Sequence, residues 1–309
     1  MNTSHNLIII LGPTATGKTR LAANLASQLN TEIISADSRQ VYRDMNIGTG
    51  KDLDEYVVNG KQIPFHLINI LEAGEEYNLH FFQRDFFKTY DEIVAKNKIP
   101  ILCGGTSLYI NGVLKGQAHT PIPENTKLRM SLDGMNKKEL VDYFIALPET
   151  PYKSKADTST FPRMIRAIEI CTWEQTNTRE ENEAAKNLKP IIFGLDMAVD
   201  LKRKRVEERL KQRLENGLIE EVRELLVNGV SKEKLIFYGL EYKFVVMYLK
   251  KKITLDEMTK QLTIAIQQFA KQQMTFFRKM EKEGAIINWI DASLPVEEQM
   301  KIVLSKLNN

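Results

Sequence analysis

Two cysteines, Cys103 and Cys171, stand in a chain of 309 residues. That is too few for a disulfide framework or a zinc finger, and it points to a reducing compartment. The four histidines, His5, His66, His80 and His119, are too far apart to form a metal-spaced cluster. No apolar run approaches the roughly 18 residues that a membrane-spanning helix needs. The N-terminal MNTSHNLIIILGPTATGKT also lacks the basic region that precedes a secretory signal. Neither charge sign dominates, with 43 Lys and Arg against 40 Asp and Glu, so only the placement of charge can point to an anionic partner. Repeats and low-complexity tracts are missing as well. The expectation is a cytoplasmic protein without a membrane partner, acting as a monomer. Its 43% apolar content is enough for one large domain or two moderate ones.

The first hundred residues alternate branched apolar runs with amphipathic stretches, as strands and crossover helices of a parallel sheet do. Strands are expected at 7–11, 32–36, 99–103, 190–195 and 285–290, and helices at 20–29, 79–95, 109–114 and 163–173. Residues 117–126, with two prolines, read as a connection, 127–147 as one or two short helices, and the stretch from 201 onward as largely helical. Phe81, Phe82, Phe86 and Phe87, and likewise Met274, Phe276 and Phe277, have the spacing of packed helix faces.

Gly12-Pro13-Thr14-Ala15-Thr16-Gly17-Lys18-Thr19 satisfies GxxxxGK[ST] between an expected strand and an expected helix. In such a loop successive backbone N–H groups face a phosphate, the lysine adds a charge, and the Thr19 hydroxyl can ligate magnesium. The strand 99–103 ends in Gly104-Gly105-Thr106 instead of a magnesium-ordering acid, which disfavours a motor or switch ATPase. Asp37 and Asp196 are the carboxylates at strand ends. Asp37 can order a metal-bound water, as in an ATP-dependent small-molecule kinase, accept a proton, or cap the segment that follows. Ser38, Arg39 and Gln40 are then placed to bind a second substrate.

Seven basic residues, Lys202, Arg203, Lys204, Arg205, Arg209, Lys211 and Arg213, crowd one helix. They form either a solvated surface or a set of phosphodiester contacts. Arg163 and Arg166, three apart on one helical face, are candidates for another anion-facing surface together with Arg129.

The segments GPTATGKT, IISADSRQVYRDMNIGTGK, FHLINI, GGTSLYI, RMIRAIEI, GLIEEVRELL, YGLEYK and QQFAKQQMTFFR, in this order across nearly the whole chain, resemble the tRNA dimethylallyltransferases, also called tRNA isopentenyltransferases. The resemblance implies an α/β fold with a P-loop, nucleotide-kinase-like parallel sheet core, a helical insertion and helical C-terminal additions. We place these at 1–116, 117–160 and 161–309. It implies transfer of a dimethylallyl group from dimethylallyl diphosphate to N6 of the adenosine 3′ to the anticodon of tRNA, with magnesium. Gly12 to Thr19 would hold the diphosphate and Asp37 would be the base, with Lys18, Thr19 and Thr106 also in the catalytic set. Asp37, Ser38, Arg39, Gln40, Thr106, Arg129, Arg163, Arg166, Gln267 and Lys271 would meet tRNA.

The late helix departs from the family pattern, with Gln267 and Gln272 where arginines are usual, the first of them expected to approach the diphosphate. FHLINI replaces HHLIDI, and Ser107 replaces a glycine. These departures leave open a divergent, catalytically weakened tRNA-binding paralogue.

Overall fold

The computed structural model describes residues 4–116, 122–177 and 187–307; His119 and the first half of the 117–126 connection lie outside them. Two compact units are present, one formed by 1–115 and 187–309 and the other by 116–186.

The larger unit is built on a parallel six-stranded sheet. In chain order its strands are β1 (Leu7–Leu11), β2 (Ile33–Ser35), β5 (Phe65–His66), β6 (Ile101–Gly104), β7 (Pro190–Asp196) and β8 (Ile287–Asp291), and a small hairpin supplies β3 (Val57–Val58) and β4 (Lys61–Gln62). The spatial order is β5-β2-β6-β1-β7-β8. Central β1 pairs with both neighbours, Ile8 opposite Ile101 on one side and Ile191 on the other. All five of its residues are buried, which is why LIIIL carries no polar alternation: a parallel strand covered on both faces must be apolar throughout.

The period of two survives in which layer each residue joins. Ile8 and Ile10 pack with α1 (Lys18–Leu29) and with α12 (Val296–Leu307), which closes the largely helical stretch expected from 201 onward. Leu7, Ile9 and Leu11 pack on the other side with α2 (Leu79–Val94), α3 (Ser107–Lys115) and the end of α11 (Leu255–Lys282). Phe82 and Phe86 are fully buried here, so the expected helix face is a core face.

After β7 the chain adds α7 (Val199–Glu215), α8 (Leu218–Val227), α9 (Lys232–Tyr238) and α10 (Leu240–Leu249). Their apolar faces form a separate cluster with Val41, Tyr42 and Met45 of the segment after β2. The long α11 contributes Met258, Leu262 and Ile266 to that cluster and Met274, Phe277 and Met280 to the sheet layer. It therefore ties the helical additions to the sheet.

The smaller unit contains α4 (Thr126–Leu132), α5 (Lys137–Ala146) and α6 (Phe161–Glu174). Its core is Leu132, Leu140, Met164 and Ile168. An insertion ending at 160 therefore corrects to one reaching 186, since α6 packs its Met164 and Ile168 on α4 and α5.

Candidate active site

The C-terminal ends of β1, β2 and β6 converge, and the loops that leave them carry the site. Between β1 and α1 the loop 12–17 wraps the first turn of α1, with Gly17 left-handed at φ 79° as the N-cap. Thr16 donates from its hydroxyl to the Pro13 carbonyl at 2.9 Å, and Lys18 donates from Nζ to the same oxygen at 2.7 Å. Burial pushes the Lys18 ammonium down to about 8, with Arg209 adding to the fall and Cys103, Asp37 and Glu55 opposing it.

Asp37 follows β2. The Ala36 N–H donates to Cys103 O at 2.7 Å, and Thr106 N–H donates to Ala36 O at 3.1 Å, so the two chain exits run side by side. Gly104 makes that approach feasible, because a Cβ there would lie 2.2 Å from the Ala36 oxygen. The Asp37 carboxylate accepts through Oδ1 from Arg39 N–H at 2.9 Å, an Asx-type turn that fixes the carboxyl without a helix to cap. Thr106 Oγ1 accepts from Ser38 N–H at 3.0 Å and lies 3.4 Å from Ser38 Oγ. Thus Asp37, Ser38 and Thr106 are brought together.

Arg39 places its guanidinium 5.0 Å from the centroid of the Phe237 ring, and that ring is exposed. Gln40 is different. It is buried, accepts from Ser35 Oγ at 3.2 Å and donates to Gly50 O at 3.2 Å. Its side chain braces the loop from within, between Ser35 and Gly50.

The same loop has two further internal anchors. Buried Lys51 donates to Tyr42 O, to Asn46 Oδ1 at 2.9 Å and to Asn69 Oδ1, and burial lowers it to about 8. Glu221 of α8 accepts from the N–H groups of Asn46, Ile47 and Gly48 at 2.7, 2.6 and 2.9 Å, and from the Tyr242 hydroxyl at 2.8 Å.

From the late helix, the residue that reaches the phosphate loop is Gln273. Its Oε1 accepts from Thr14 N–H at 3.0 Å and its Nε2 donates to Gly105 O at 2.8 Å. Gln267, expected near the diphosphate, instead has Nε2 3.5 Å from Glu207 Oε1. Lys271 and Gln272 are exposed. Gln273 was overlooked as a site residue, although it is a polar residue in the buried series Ile266, Ala270, Gln273, Met274, Phe277, and such a residue on a core face calls for a partner.

The basic helix α7 divides in the same way. Arg203, Lys204 and Lys211 are exposed and lie 3.6, 3.9 and 3.9 Å from Asp200, Glu208 and Glu215. Lys202 pairs with the strand-end Asp196, and Arg205 donates to Ala292 O at 3.2 Å. Arg209 and Arg213 turn inward. Arg209 lies 3.5 Å from Thr14 Oγ1, donates to Gly50 O at 3.3 Å and pairs with Asp52. Arg213, largely covered, pairs with Glu241 at 2.9 Å. Both fall on the stripe of the buried Val206 and Leu210, the signal that separates them from their exposed neighbours.

In the smaller unit Glu169 is buried and gathers two of the candidate arginines. Arg129 binds it through Nε at 2.8 Å and Nη2 at 3.0 Å, and Arg166 at 3.1 Å. Burial would raise this carboxyl, but Arg129, the Asn125 N–H and Arg166 outweigh it and hold it below the usual range. Arg163 is exposed and pairs with Asp157 at 2.8 Å.

For magnesium, the described residues contain no cluster of three or more His, Cys, Asp or Glu. The donor set is oxygen from the Thr19 hydroxyl with Asp37 nearby, which suits an ion that draws its remaining ligands from phosphate and water. No helix among the described residues is long and apolar enough to cross a membrane.

Comparisons with known proteins agree with this geometry. The IPP transferase family pattern matches residues 40–280, and the isopentenyl transferase pattern matches 5–71. The chain is 50% identical over 304 residues to tRNA dimethylallyltransferase 2 of Phocaeicola vulgatus, covering 98% of each. It is 50% identical over 309 residues to tRNA dimethylallyltransferase 1 of Parabacteroides distasonis, covering 99% of each. Among solved structures, the full-length tRNA isopentenylpyrophosphate transferase of Bacillus halodurans superposes with a TM-score of 0.71 at 29% identity, covering 99% of this chain and 97% of that one. A eukaryotic dimethylallyltransferase acting on tRNA shares the fold with a TM-score of 0.76 at 24% identity, covering 94% and 74%. These matches do not favour the small-molecule kinase. With a family pattern spanning most of its length and half of its residues shared end to end with such relatives, the chain belongs to the IPP transferase family, the tRNA dimethylallyltransferases.

Proposed function

We infer that this protein transfers a dimethylallyl group from dimethylallyl diphosphate to the N6 amine of the adenosine 3′ to the anticodon of tRNA. The observation that carries the reading is a phosphate-binding loop tied to a fixed carboxylate: Gln273 links Thr14 of the loop to Gly105, and the adjoining Gly104 lies against Ala36, the residue before Asp37. An exocyclic adenine amine is a weak nucleophile because its lone pair is delocalised. The reaction therefore depends on alignment with the allylic carbon and on a proton acceptor.

Asp37 serves as that acceptor. The amine nitrogen forms a bond to the allylic carbon, the carbon–oxygen bond breaks, and its electron pair leaves with the diphosphate while the amine proton passes to Asp37. Thr106 holds Ser38, and through it the turn that carries Asp37. Lys18, the loop N–H groups and Arg209 receive the charge that develops on the leaving group. Magnesium, bound by Thr19 and the diphosphate, would supply further neutralisation of that charge. The target base, stacked in the anticodon arm, has to be extruded to reach Asp37. Half-buried Arg39 with exposed Phe237 and the exposed cations of α7 provide contacts for RNA beside it. We further propose that the protein works in the cytoplasm as a monomer.

The direct test is incubation with unprenylated tRNA and labelled dimethylallyl diphosphate, followed by nucleoside mass spectrometry. The expected product is an adenosine carrying the label on N6, with no ATP consumed. Stoichiometric ADP with a phosphorylated small molecule would overturn the reading.

A further inference from the structure

We propose that Asp52 is a positioning residue for the donor: it fixes the Arg209 guanidinium beside Thr14 so that the arginine is in place before a diphosphate arrives. The proposal rests on the reading that the loop 12–19 takes a diphosphate.

Arg209 reaches this place from α7, across a gap that its long, rotamer-rich side chain would otherwise sample freely. The Gly50 carbonyl, at 3.3 Å, and the Asp52 carboxylate both hold the same nitrogen, Nη2. Nη1 is left on the side of Thr14, 3.5 Å from its hydroxyl. Asp52 therefore grips one edge of the guanidinium and leaves the other toward the phosphate loop.

The backbone is shaped for this grip. Gly50 and Asp52 are both left-handed, at φ 62° and 43°, a conformation that aspartate tolerates better than most side chains. A Cβ on Gly50 would lie 1.8 Å from Arg213 Nη2 and 2.7 Å from Arg209 Nη2, so both guanidinium groups rest on this bare stretch of backbone. Arg209 and Arg213 are one helical turn apart, and each has its own carboxylate, Asp52 and Glu241. Without Asp52, Arg209 would be free to move away from its like-charged neighbour and out of the loop.

A competing electrostatic effect has the opposite sign. Asp52 subtracts charge from an anion site, so if repulsion dominated, removing it would tighten diphosphate binding. Prior fixation dominates here because the carboxylate engages only the far edge of the guanidinium, while the ordering of a flexible cation is lost entirely without it.

The experiment is calorimetric binding of inorganic diphosphate to the wild type, Asp52→Gly, Asp52→Asn, Arg209→Ala and the Asp52→Gly/Arg209→Ala double variant, with KM and kcat for dimethylallyl diphosphate at saturating tRNA. Glycine and asparagine both accept the left-handed backbone, so neither forces a refolding of the turn. Asp52→Gly is expected to weaken diphosphate about tenfold and raise the donor KM alike, with a fall in kcat no larger than that of Arg209→Ala. Asp52→Asn, which still accepts a hydrogen bond, should recover most of the affinity. The double variant should bind no worse than Arg209→Ala alone. Equal or tighter binding by Asp52→Gly, or an undiminished Asp52 effect in the Arg209→Ala background, overturns the proposal. Failure of the wild type to bind diphosphate overturns the reading of the loop and Asp52's role with it.

Discussion

Gln273 and Thr14 are 259 residues apart in the chain, yet the Thr14 N–H donates to the Gln273 carboxamide at 3.0 Å. The other end of the same amide holds Gly105 O at 2.8 Å. One buried side chain of α11 thus fixes the phosphate loop against the turn that carries Thr106. Gln273→Met keeps the volume and removes both hydrogen bonds, leaving two backbone groups without a partner, at about 1–3 kcal/mol each. Thermal melting should show the loss, and kcat/KM for the donor should fall at least about tenfold. Gln273→Glu keeps the acceptor for Thr14 but brings a negative charge to the loop, so its donor KM should exceed that of Gln273→Met. If the two variants share one KM, the side chain acts on packing alone.

Asp37→Asn preserves shape and removes the proton acceptor. Single-turnover rates at saturating tRNA and donor should drop on the order of 10²-fold or more, while both affinities stay near wild type. An unchanged chemical rate would take Asp37 out of the mechanism.

How much of this was open to a reader of the sequence depends on how local each feature is. The phosphate loop is one uninterrupted segment, and its conformation follows from its own glycines and the helix it starts. Asp37 needed only the strand before it and the rule that ligands gather at carboxyl ends of parallel strands. The internal bracing by Gln40 was not legible, because its neighbours in sequence are site candidates while its side chain turns back to Ser35 and Gly50. Arg209, Arg213 and Gln273 depend on which face of a long helix meets a loop far away in the chain, and the helical period only hints at that. The composition of α7 suggested one basic surface; its buried stripe separates two inward arginines from exposed ones.

Lys18 gives a pH dependence. Burial lowers its folded value to about 8, so the free enzyme loses the ammonium as pH rises through 8. A polyanionic donor binds the charged form. Binding should therefore be strongest below 8, and kcat/KM for the donor should decline above it, approaching tenfold per pH unit if Lys18 alone is responsible. Lys18→Arg keeps its charge throughout this range and should shift the decline upward, whatever its absolute activity. The same decline in both enzymes would assign it to another group.

On the far side of the sheet, buried Glu32 at the start of β2 is surrounded by Lys96, His66 and Lys98 at 2.9, 2.9 and 3.1 Å. Burial by itself would raise this carboxyl, but hydrogen bonds from Lys96, His66 and Lys98 prevail and hold it at about 2 against an ordinary 4.5. The folded value is the lower one, so the stabilisation is complete above about 4.5 and is lost as pH falls toward 2. Glu32→Gln should lower stability by about 3 kcal/mol near neutrality and flatten the acid limb of the melting profile. An unaltered acid limb would show that Glu32 is not the titrating group.

Gln267 occupies a position where the family usually has an arginine, and restoring one by Gln267→Arg tests what the missing charge did. Its amide lies 3.5 Å from the exposed Glu207 on α7, while the contact with the phosphate loop belongs to Gln273, nearly two helical turns further along α11. A guanidinium at 267 therefore has a carboxylate within reach before it has a diphosphate. The expected outcome is an ion pair between α11 and α7 that adds about 0.5 kcal/mol of stability and weakens with salt. The donor KM and kcat should stay within about twofold of wild type, because Arg209 and Lys18 already supply the cations at the loop. Steady-state kinetics with one fixed tRNA, together with melting at low and high salt, separate the cases. A tenfold fall in donor KM would mean that the arginine bypasses Glu207 and reaches the diphosphate. Unchanged kinetics with a salt-sensitive gain in melting temperature would place the family arginine between two helices, as a brace.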